Sequence, residues 1–443
     1  MNRFRALIPL AGVAVLGVLY LAALFIRSTR TQIELQEAVK VVGTATPVKL
    51  VAINPHGVRS LRASLRQGGQ SYPVYERTVS ASRWNLFPKA VNPTPFEFEA
   101  GTGKANGLKD GRAVLRVETV SNDLAGRTDL LELDVEVNSR PPAVSVDEGQ
   151  HYLTLGGSEV VVFTASGYWS EAGVRVGKYT FRSFPLPGAN DVNRRVCLFA
   201  IPYDTERGEV PVVYVRNPAG AEATSGFWNR LTWKTFRKRN IEVTDAFLEK
   251  IFKELDPGGK GNPAPRFVKI NSDMRKANAQ TLSELRLKTA DRILWHGPFL
   301  QLANSSVEAQ FCDYRDYFYQ RQLVDRQVHL GFDLAVTAHT PVAAANDGVV
   351  VFAGPLGIYG NAVVIDHGLA LQSLYAHLSE IQVKPGDAVK KGRIIGKSGA
   401  TGLAGGDHLH FSMMVDGVMV NPVEWWDAHW IHDRILAPLK MTE

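Results

Sequence analysis

The sequence of 443 residues contains only two cysteines, Cys197 and Cys312. Two thiols are too few for a disulfide framework or for a zinc site made of thiolates, and we expect both to be buried free thiols. Any metal site must therefore use histidine and carboxylate side chains. The net charge is also small: 50 basic and 44 acidic residues give a formal net charge of +6. We therefore predict no nucleic-acid partner.

Long hydrophobic runs are missing except at the amino end, where residues 6–26 are all uncharged. At about 1.5 Å per residue, this run is long enough to cross the hydrocarbon core of a bilayer. A cleaved signal peptide has a shorter apolar run and a small-residue cleavage site, and a buried core helix is the remaining alternative. We predict an uncleaved membrane anchor over residues 1–30.

Short segments of alternating apolar and polar residues fill the chain from residue 45 to 232. They predict half-buried strands, and the alternation stops at residues 139–142 before it restarts. Each half has a similar late turn, at 120–126 and 215–220, as in bacterial immunoglobulin-like modules. We predict two Ig-like β-sandwich modules, 45–139 and 140–232, with a structural or spacing role.

A helical connector is predicted at 233–292. Residues 229–292 carry 15 Lys or Arg against 8 Asp or Glu. An anionic polymer could bind there, but a solvated face is the commoner explanation. Thr244 is placed to cap a first helix that ends at Asp256, and a second helix is predicted over 271–293. The first helix has an apolar stripe that we expect to pack between helices or on a neighbouring domain: Phe247, Leu248, Ile251, Phe252 and Leu255.

Eight of the 11 histidines lie in the last 115 residues, so the search for a metal site begins there. His408 and His410 occur in a strand-like segment, and because alternate side chains of a strand share a face, they point together. Two adjacent imidazoles can bind one ion, or one can bind it while the other acts on a substrate. Alone, this H-x-H pattern is weak evidence.

His329 and Asp333 form a second motif, four residues apart. On a straight strand their Cα atoms would lie about 13 Å apart, too far for both to bind one zinc ion. The chain must therefore bend near Gly331. With His410, these residues would supply three ligands and leave a fourth position open, which is the catalytic arrangement of zinc. The third motif is His377, in the run Tyr-Ala-His-Leu.

These three motifs, in this order, resemble the lysostaphin/LytM family of zinc peptidoglycan endopeptidases over roughly residues 328–426. The resemblance implies an antiparallel-β metallopeptidase domain at 293–443 and a mainly β protein overall. It also implies that His329, Asp333 and His410 bind Zn²⁺ and that His377 and His408 are catalytic. One departure is His339, where many relatives have glycine.

The remaining carboxyl-terminal histidines are expected to have no catalytic role. His367 is interpreted as a turn residue. His429 and His432 lie in a tryptophan-rich tail that we expect to pack back on the domain.

The resemblance implies a membrane-anchored enzyme that cleaves peptide cross-links of peptidoglycan. With the anchor, it favours the inner membrane of a diderm bacterium, with a periplasmic carboxyl-terminal region. The main alternative is a catalytically silent or autoinhibited envelope regulator, in which a cover from residues 240–325 lies over the groove until a regulatory protein moves it. A structural β-protein with incidental histidines is a third hypothesis.

Overall fold

The computed structural model describes residues 3–79 and 93–441, with side chains from residue 12 onwards. The chain is mainly β, with few helices. Helix α1 (Arg3–Ile26) contains the predicted anchor, whose first side chains lie outside the described residues. Within the described part of the chain, no helix has the length and the hydrophobicity needed to cross a membrane. The anchor stays a prediction.

Contacts between residues divide the chain into two compact units. The first comprises the described residues up to Pro142, with Gly167–Ser170 and Arg216–Ala223. Its strands are β1 (Gln32–Leu35), β2 (Val41–Val42), β3 (Thr46–Ile53), β4 (Val58–Gln67), β5 (Gln70–Thr78), β6 (Thr94–Ala100), β7 (Gly111–Ser121) and β8 (Thr128–Val137). They form a sheet of order β1-β3-β6 and a sheet of order β2-β8-β7-β4-β5.

One hydrophobic cluster joins these two sheets. Leu50 of β3 and Phe98 of β6 share it with Leu61 of β4 and Leu115 of β7. Side chains of β7 alternate between buried and partly exposed, as expected for a sheet with one face in a core. The sandwich includes β1 and β2, which precede residue 45. Its Ig-like character stays a prediction.

The second unit begins with a further set of strands, which form two four-stranded sheets, β14-β15-β11-β9 and β13-β12-β16-β17, and the parallel pair β10-β18. Their bounds are β9 (Ala143–Val146), β10 (His151–Thr154), β11 (Ser158–Ser166), β12 (Glu171–Val176), β13 (Tyr179–Arg182), β14 (Phe184–Pro185), β15 (Arg194–Ala200), β16 (Val212–Arg216), β17 (Glu222–Ser225) and β18 (Asn229–Thr232). We call this region the second β-module.

The predicted helical connector contains a strand, β19 (Lys238–Glu242), before the helices α2 (Asp245–Leu255), α3 (Pro263–Val268) and α4 (Arg275–Leu285). A π-helical turn (Lys269–Met274) joins α3 to α4. The Thr244 side chain caps α2 by accepting a hydrogen bond from the Phe247 N–H, as predicted. The apolar stripe of α2 packs with α3 and with Tyr317 and Ile358 of the carboxyl-terminal region.

Two predictions about this connector were wrong. Strand β19 was missed because it pairs in parallel with a strand more than 70 residues later, and such pairing leaves no local signal. The second helix ends at Leu285 rather than at residue 293. Beyond it the backbone bonds to the carboxyl-terminal sheet instead of to itself: Ala290 N–H donates to Asp366, and Leu294 N–H donates to the His367 carbonyl.

The carboxyl-terminal region is built on an antiparallel sheet of order β20-β23-β31-β27-β26-β25-β29, with β32 paired to β31. Two further three-stranded sheets, β24-β30-β28 and β19-β21-β22, are formed by strands from the same part of the chain. The bounds are β20 (Ser306–Ala309), β21 (Asp313–Tyr319), β22 (Gln322–His329), β23 (Phe332–Ala335), β24 (Pro341–Ala343), β25 (Gly348–Pro355), β26 (Asn361–Gly368), β27 (Leu371–Leu378), β28 (Glu380–Ile381), β29 (Ala388–Val389), β30 (Ile394–Lys397), β31 (His408–Val415) and β32 (Val418–Val420). A short 3-10 turn (Gly357–Tyr359) precedes β26, and the chain closes with α5 (Pro422–Trp426), α6 (Ala428–Ile431) and a π-helical turn (His432–Leu436).

Buried polar contacts tie the second β-module to this region. The Arg182 guanidinium donates to the Asp416 carboxylate, whose side chain is completely buried. Glu424 of α5 accepts hydrogen bonds from the backbone and hydroxyl of Ser158. Cys197 and Cys312 are both buried free thiols, as expected.

Candidate metal centre

Three donor atoms meet where the end of β22 comes close to the paired strands β23 and β31. His329 ends β22, and Asp333 on β23 is paired in register with His410 on β31. His329 Nε2 lies 2.9 Å from Asp333 Oδ1 and 3.0 Å from His410 Nδ1, and the last two atoms are 2.9 Å apart. The structure therefore brings together three residues that the sequence separates by up to 81 positions.

The bend that this convergence requires is present. Strand β22 ends at His329 and β23 begins at Phe332, so the chain changes direction at Leu330 and Gly331. A Cβ atom on Gly331 would lie 2.5 Å from Ser412 Oγ and 2.6 Å from the His410 ring. Glycine is thus needed here because the backbone passes against a ligand side chain.

In each donor residue, the polar atom that points away from the common centre is also hydrogen-bonded. His329 Nδ1 is 3.0 Å from the Gln310 carbonyl oxygen, and His410 Nε2 is 2.9 Å from Ser412 Oγ, which donates to the Leu330 carbonyl. Each ring therefore directs its other nitrogen to the common centre, an arrangement usual for metal-binding histidines. Arg315 donates to Asp333 Oδ2 and so keeps Oδ1 turned inwards.

The donor set fits zinc. Bonds of 2.0–2.1 Å in a tetrahedral site place the donor atoms about 3.3 Å apart, a few tenths of an ångström more than the separations found here. Two imidazoles and one carboxylate are ligands that zinc accepts, and three protein ligands leave a fourth position open.

His377 and His408 lie beside the three donors. Their ring centroids are 4.8 Å apart, and the His377 ring lies 5.8 Å from that of His410. Nδ1 of His377 bonds to the Thr401 carbonyl at 2.8 Å, and Nδ1 of His408 bonds to the Gly406 carbonyl at 2.9 Å. His377 has a positive φ of 61°, a conformation that non-glycine residues adopt where the surroundings impose it, often in active sites.

Charges at the centre are strongly coupled. Burial alone would raise the pKa of Asp333, but the surrounding histidines hold it well below its ordinary value. Burial alone would lower the pKa of His408, which the hydrogen bond and charge of Asp333 raise instead. Burial and the neighbouring imidazoles lower the pKa of His377 well below its usual value. A carboxylate that stays ionised among imidazoles suits a cation site.

Other histidines lie elsewhere. His339 is exposed at the rim and bonds to Ser379, and His429 and His432 are exposed in the tail. The prediction of a turn at His367 was wrong: this residue lies inside β26, is completely buried, and bonds to the Asp347 carbonyl and to Ser373. The turn follows at Leu369 and Ala370, which have positive φ.

The donors open into a cavity of about 300 Å³. Besides the five predicted residues, its walls include Arg275, Arg315 and Tyr359 and the residues from Leu403 to Asp407. Sequence reasoning missed Arg315 and Ser412, although both lie within the predicted domain, 293–443. It also missed Arg275, because a helix outside the motifs supplies it.

Comparison with known proteins identifies relatives of this segment of the chain. The sequence profile of peptidase family M23 matches residues 327–422. The DD-carboxypeptidase/endopeptidase Mpg of Neisseria meningitidis serogroup B is 45% identical over 97 residues, 22% of each chain. The peptidoglycan DD-endopeptidase ShyA of Vibrio cholerae is 45% identical over 96 residues, again 22% of each chain. These matches span about a fifth of the relatives' length.

Among solved structures, the catalytic domain of the antimicrobial peptidase lysostaphin from Staphylococcus simulans is 31% identical, with a TM-score of 0.25. This match covers 28% of the present chain and 92% of the lysostaphin domain. The predicted resemblance is confirmed by the family match and by the relatives. The chain carries, at its carboxyl end, a LytM-type domain of peptidase family M23.

Proposed function

We propose that this chain is a zinc metalloendopeptidase that hydrolyses peptide cross-links of bacterial peptidoglycan. The observation that carries the proposal is the convergence of His329, Asp333 and His410, with His377 and His408 beside them. The name of the peptidoglycan DD-endopeptidase ShyA, which is 45% identical over 96 residues, supports peptidoglycan as the substrate.

The ligand side chains have distinct tasks. Zinc, when bound, supplies a Lewis acid that polarises the scissile carbonyl and lowers the pKa of water. His329 would hold it through Nε2, His410 through Nδ1 and Asp333 through Oδ1. Arg315 keeps the Asp333 carboxylate oriented, so the substrate does not have to reorganise the site.

His377 and His408 would carry the proton transfers. Because Nδ1 of each ring is bonded to a backbone carbonyl, Nε2 is the atom that can exchange a proton. Nε2 of His408 lies 3.5 Å from Asp333 Oδ1, beside the donor atoms. One imidazole takes a proton from the attacking water and passes it to the leaving amine. The other, when protonated, stabilises the negative charge that develops on the carbonyl oxygen.

We also propose that residues 1–30 anchor the chain in the inner membrane of a diderm bacterium, with the rest of the chain in the periplasm. The uncharged run of residues 6–26 supports this proposal. A catalytically silent regulator is the competing function, and the presence of all five motif residues argues against it.

The test is digestion of purified peptidoglycan by the zinc-loaded full chain, with mass spectrometry of the released muropeptides. We expect cross-linked species to be converted to monomers, and a chelator to stop this conversion. His410→Ala should lose the metal and the activity together. His377→Ala should keep the metal while its rate falls by about 10²–10⁴.

His432→Ala, at an exposed tail residue, is the matched control and should behave as the parent chain. Metal content measured on every variant distinguishes a metal ligand, whose substitution loses the metal, from a catalytic histidine, whose substitution keeps it. If the zinc-loaded parent chain releases no product, the regulator is the better explanation. Full activity of His377→Ala would refute the role given to that residue.

A further inference from the structure

The loop of residues 399–406, which we call the site loop, connects β30 to β31 and contacts both catalytic histidines. The Thr401 carbonyl bonds to His377 Nδ1 at 2.8 Å, and the Gly406 carbonyl bonds to His408 Nδ1 at 2.9 Å. The position of this loop therefore decides how both rings are oriented.

Helix α2 holds the site loop by two side chains. Lys250 Nζ donates to the carbonyl oxygens of Ala400 at 2.9 Å and Ala404 at 2.8 Å. Glu254 Oε1 accepts from the Gly402 N–H at 2.5 Å. Lys250 and Glu254 are four residues apart, so they share one face of the helix. The positively charged ammonium of Lys250 therefore contacts carbonyl oxygens, and the negatively charged carboxylate of Glu254 contacts an N–H.

Helix α2 and the site loop differ in how firmly they are held in place. The helix is anchored in its own core, since Leu248 and Ile251 are buried in the cluster that includes Tyr317. The site loop has four glycines among its eight residues. Gly399 and Gly402 pack closely against backbone, whereas no atom would lie within 4 Å of a Cβ added to Gly405 or Gly406. A glycine-rich backbone has many accessible conformations, so these tethers restrict it.

We propose that Lys250 and Glu254 are positioning residues of the peptidase. They fix the site loop so that its carbonyls hold the Nδ1–H tautomers of His377 and His408 and leave each Nε2 as the nitrogen that exchanges protons. This inference rests on the proposed function. It makes α2, which precedes the family match at 327–422, a part of the working site rather than a removable cover.

The test compares disruptive and conservative substitutions in the full chain. Lys250→Met and Glu254→Ala remove the tethers, and we expect kcat to fall 10- to 100-fold with little change in KM or zinc content. Lys250→Arg still donates and Glu254→Gln still accepts, so both should stay within about threefold of the parent chain. Lys253→Met and Glu249→Ala, at exposed positions of the same helix, are the matched controls.

A second readout does not depend on turnover. Nitrogen-15 chemical shifts of labelled histidine report which ring nitrogen carries the proton. In the parent chain we expect a single Nδ1–H tautomer at His377 and His408, and in Lys250→Met and Glu254→Ala a mixture of tautomers. Thermal unfolding of each variant shows whether the fold is kept.

The outcomes are distinguishable. If the zinc-loaded parent chain is inactive, the proposed function fails first. If the parent chain is active but folded Lys250→Met and Glu254→Ala keep its kcat and its tautomers, the positioning role is refuted. Higher activity in these variants would show instead that α2 restrains the site, as in the autoinhibited alternative.

Discussion

The sheet of the amino-terminal sandwich and the sheet of the peptidase domain bury their residues differently. In β7 of the sandwich, buried and partly exposed residues alternate along the strand. In β27 and β31 of the peptidase domain, all eight residues of each strand are buried. The first sheet has one solvated face, whereas the central strands of the second are covered on both.

This difference explains where chemistry can occur. A sheet covered on both faces must place some polar side chains away from water, and each then needs a partner. In β31, His408, His410 and Ser412 share one face, and each is bonded to a named group. A solvated sheet face leaves its polar groups to water, which weakens their electrostatic effects. The peptidase sheet therefore supports a site that the sandwich sheet cannot.

The largest effect that tests this comparison is expected from Gly331→Ala. The new Cβ would lie 2.5–2.6 Å from Ser412 Oγ and the His410 ring, and both of these side chains are buried. We expect zinc affinity and activity to fall about 100-fold, measured by metal titration and muropeptide release. Gly226→Ala is the control, because no atom lies within 4 Å of its added Cβ. A fully active Gly331→Ala variant would show that the site accommodates the added methyl group without losing its geometry.

Much of the metal centre could be predicted from local spacing. A strand places residues two apart on one face, which paired His408 with His410. Because His329 and Asp333 must both reach one zinc ion, a bend in the chain between them could also be predicted. The Thr244 cap was predictable for the same reason, since a cap and its helix are neighbours in sequence.

Features that depend on distant contacts could not be predicted. His367 was assigned to a turn because Asp-His-Gly is typical of turns, yet the strands on both sides of β26 bury it. The contribution of Lys250 depends on a loop 150 residues away. Ser412 lies two residues after His410 and so shares its face, but its hydrogen bonds to the His410 ring and to the Leu330 carbonyl depend on the fold.

The second prediction concerns acid sensitivity, with His367 as the buried group. Burial lowers the pKa of His367 to about 4, against about 6.5 in an unfolded chain. The unfolded chain thus binds the proton first, so the stabilisation is complete above pH 6.5 and is lost as the pH falls towards 4. The linked loss is about 3 kcal/mol.

The measurement is the free energy of unfolding of metal-free protein between pH 7 and pH 4. His367→Asn should be less stable at pH 7 but should lose about 3 kcal/mol less than the parent chain over this range. His56→Asn, a half-buried residue of the sandwich, should follow the parent chain. Parallel curves for His367→Asn and the parent would mean that the ring is protonated in the folded protein.

The smallest effects come from ion pairs of similar length in the two regions. Arg182 and Asp416 are 2.6 Å apart with side chains 33% and 0% exposed, and Arg62 and Glu76 of the sandwich are 2.7 Å apart with 63% and 57% exposed. Asp416→Asn keeps a residue suited to its positive φ but leaves two partly buried guanidiniums without their carboxylate. We expect a loss of about 2 kcal/mol, below the usual 3–5, because both arginines remain about one-third exposed.

Glu76→Gln should cost much less than Asp416→Asn, because water already screens that pair. Chemical denaturation with and without 1 M salt measures both variants, and salt should reduce only the Glu76 effect, since it screens exposed charges more than buried ones. The two pairs have nearly the same length, so a difference in cost reflects the burial of Asp416 and its second arginine partner, Arg286. Equal costs and equal salt dependence would show that the covered sheet does not strengthen its polar contacts, and the explanation offered for the position of the metal centre would fail with them.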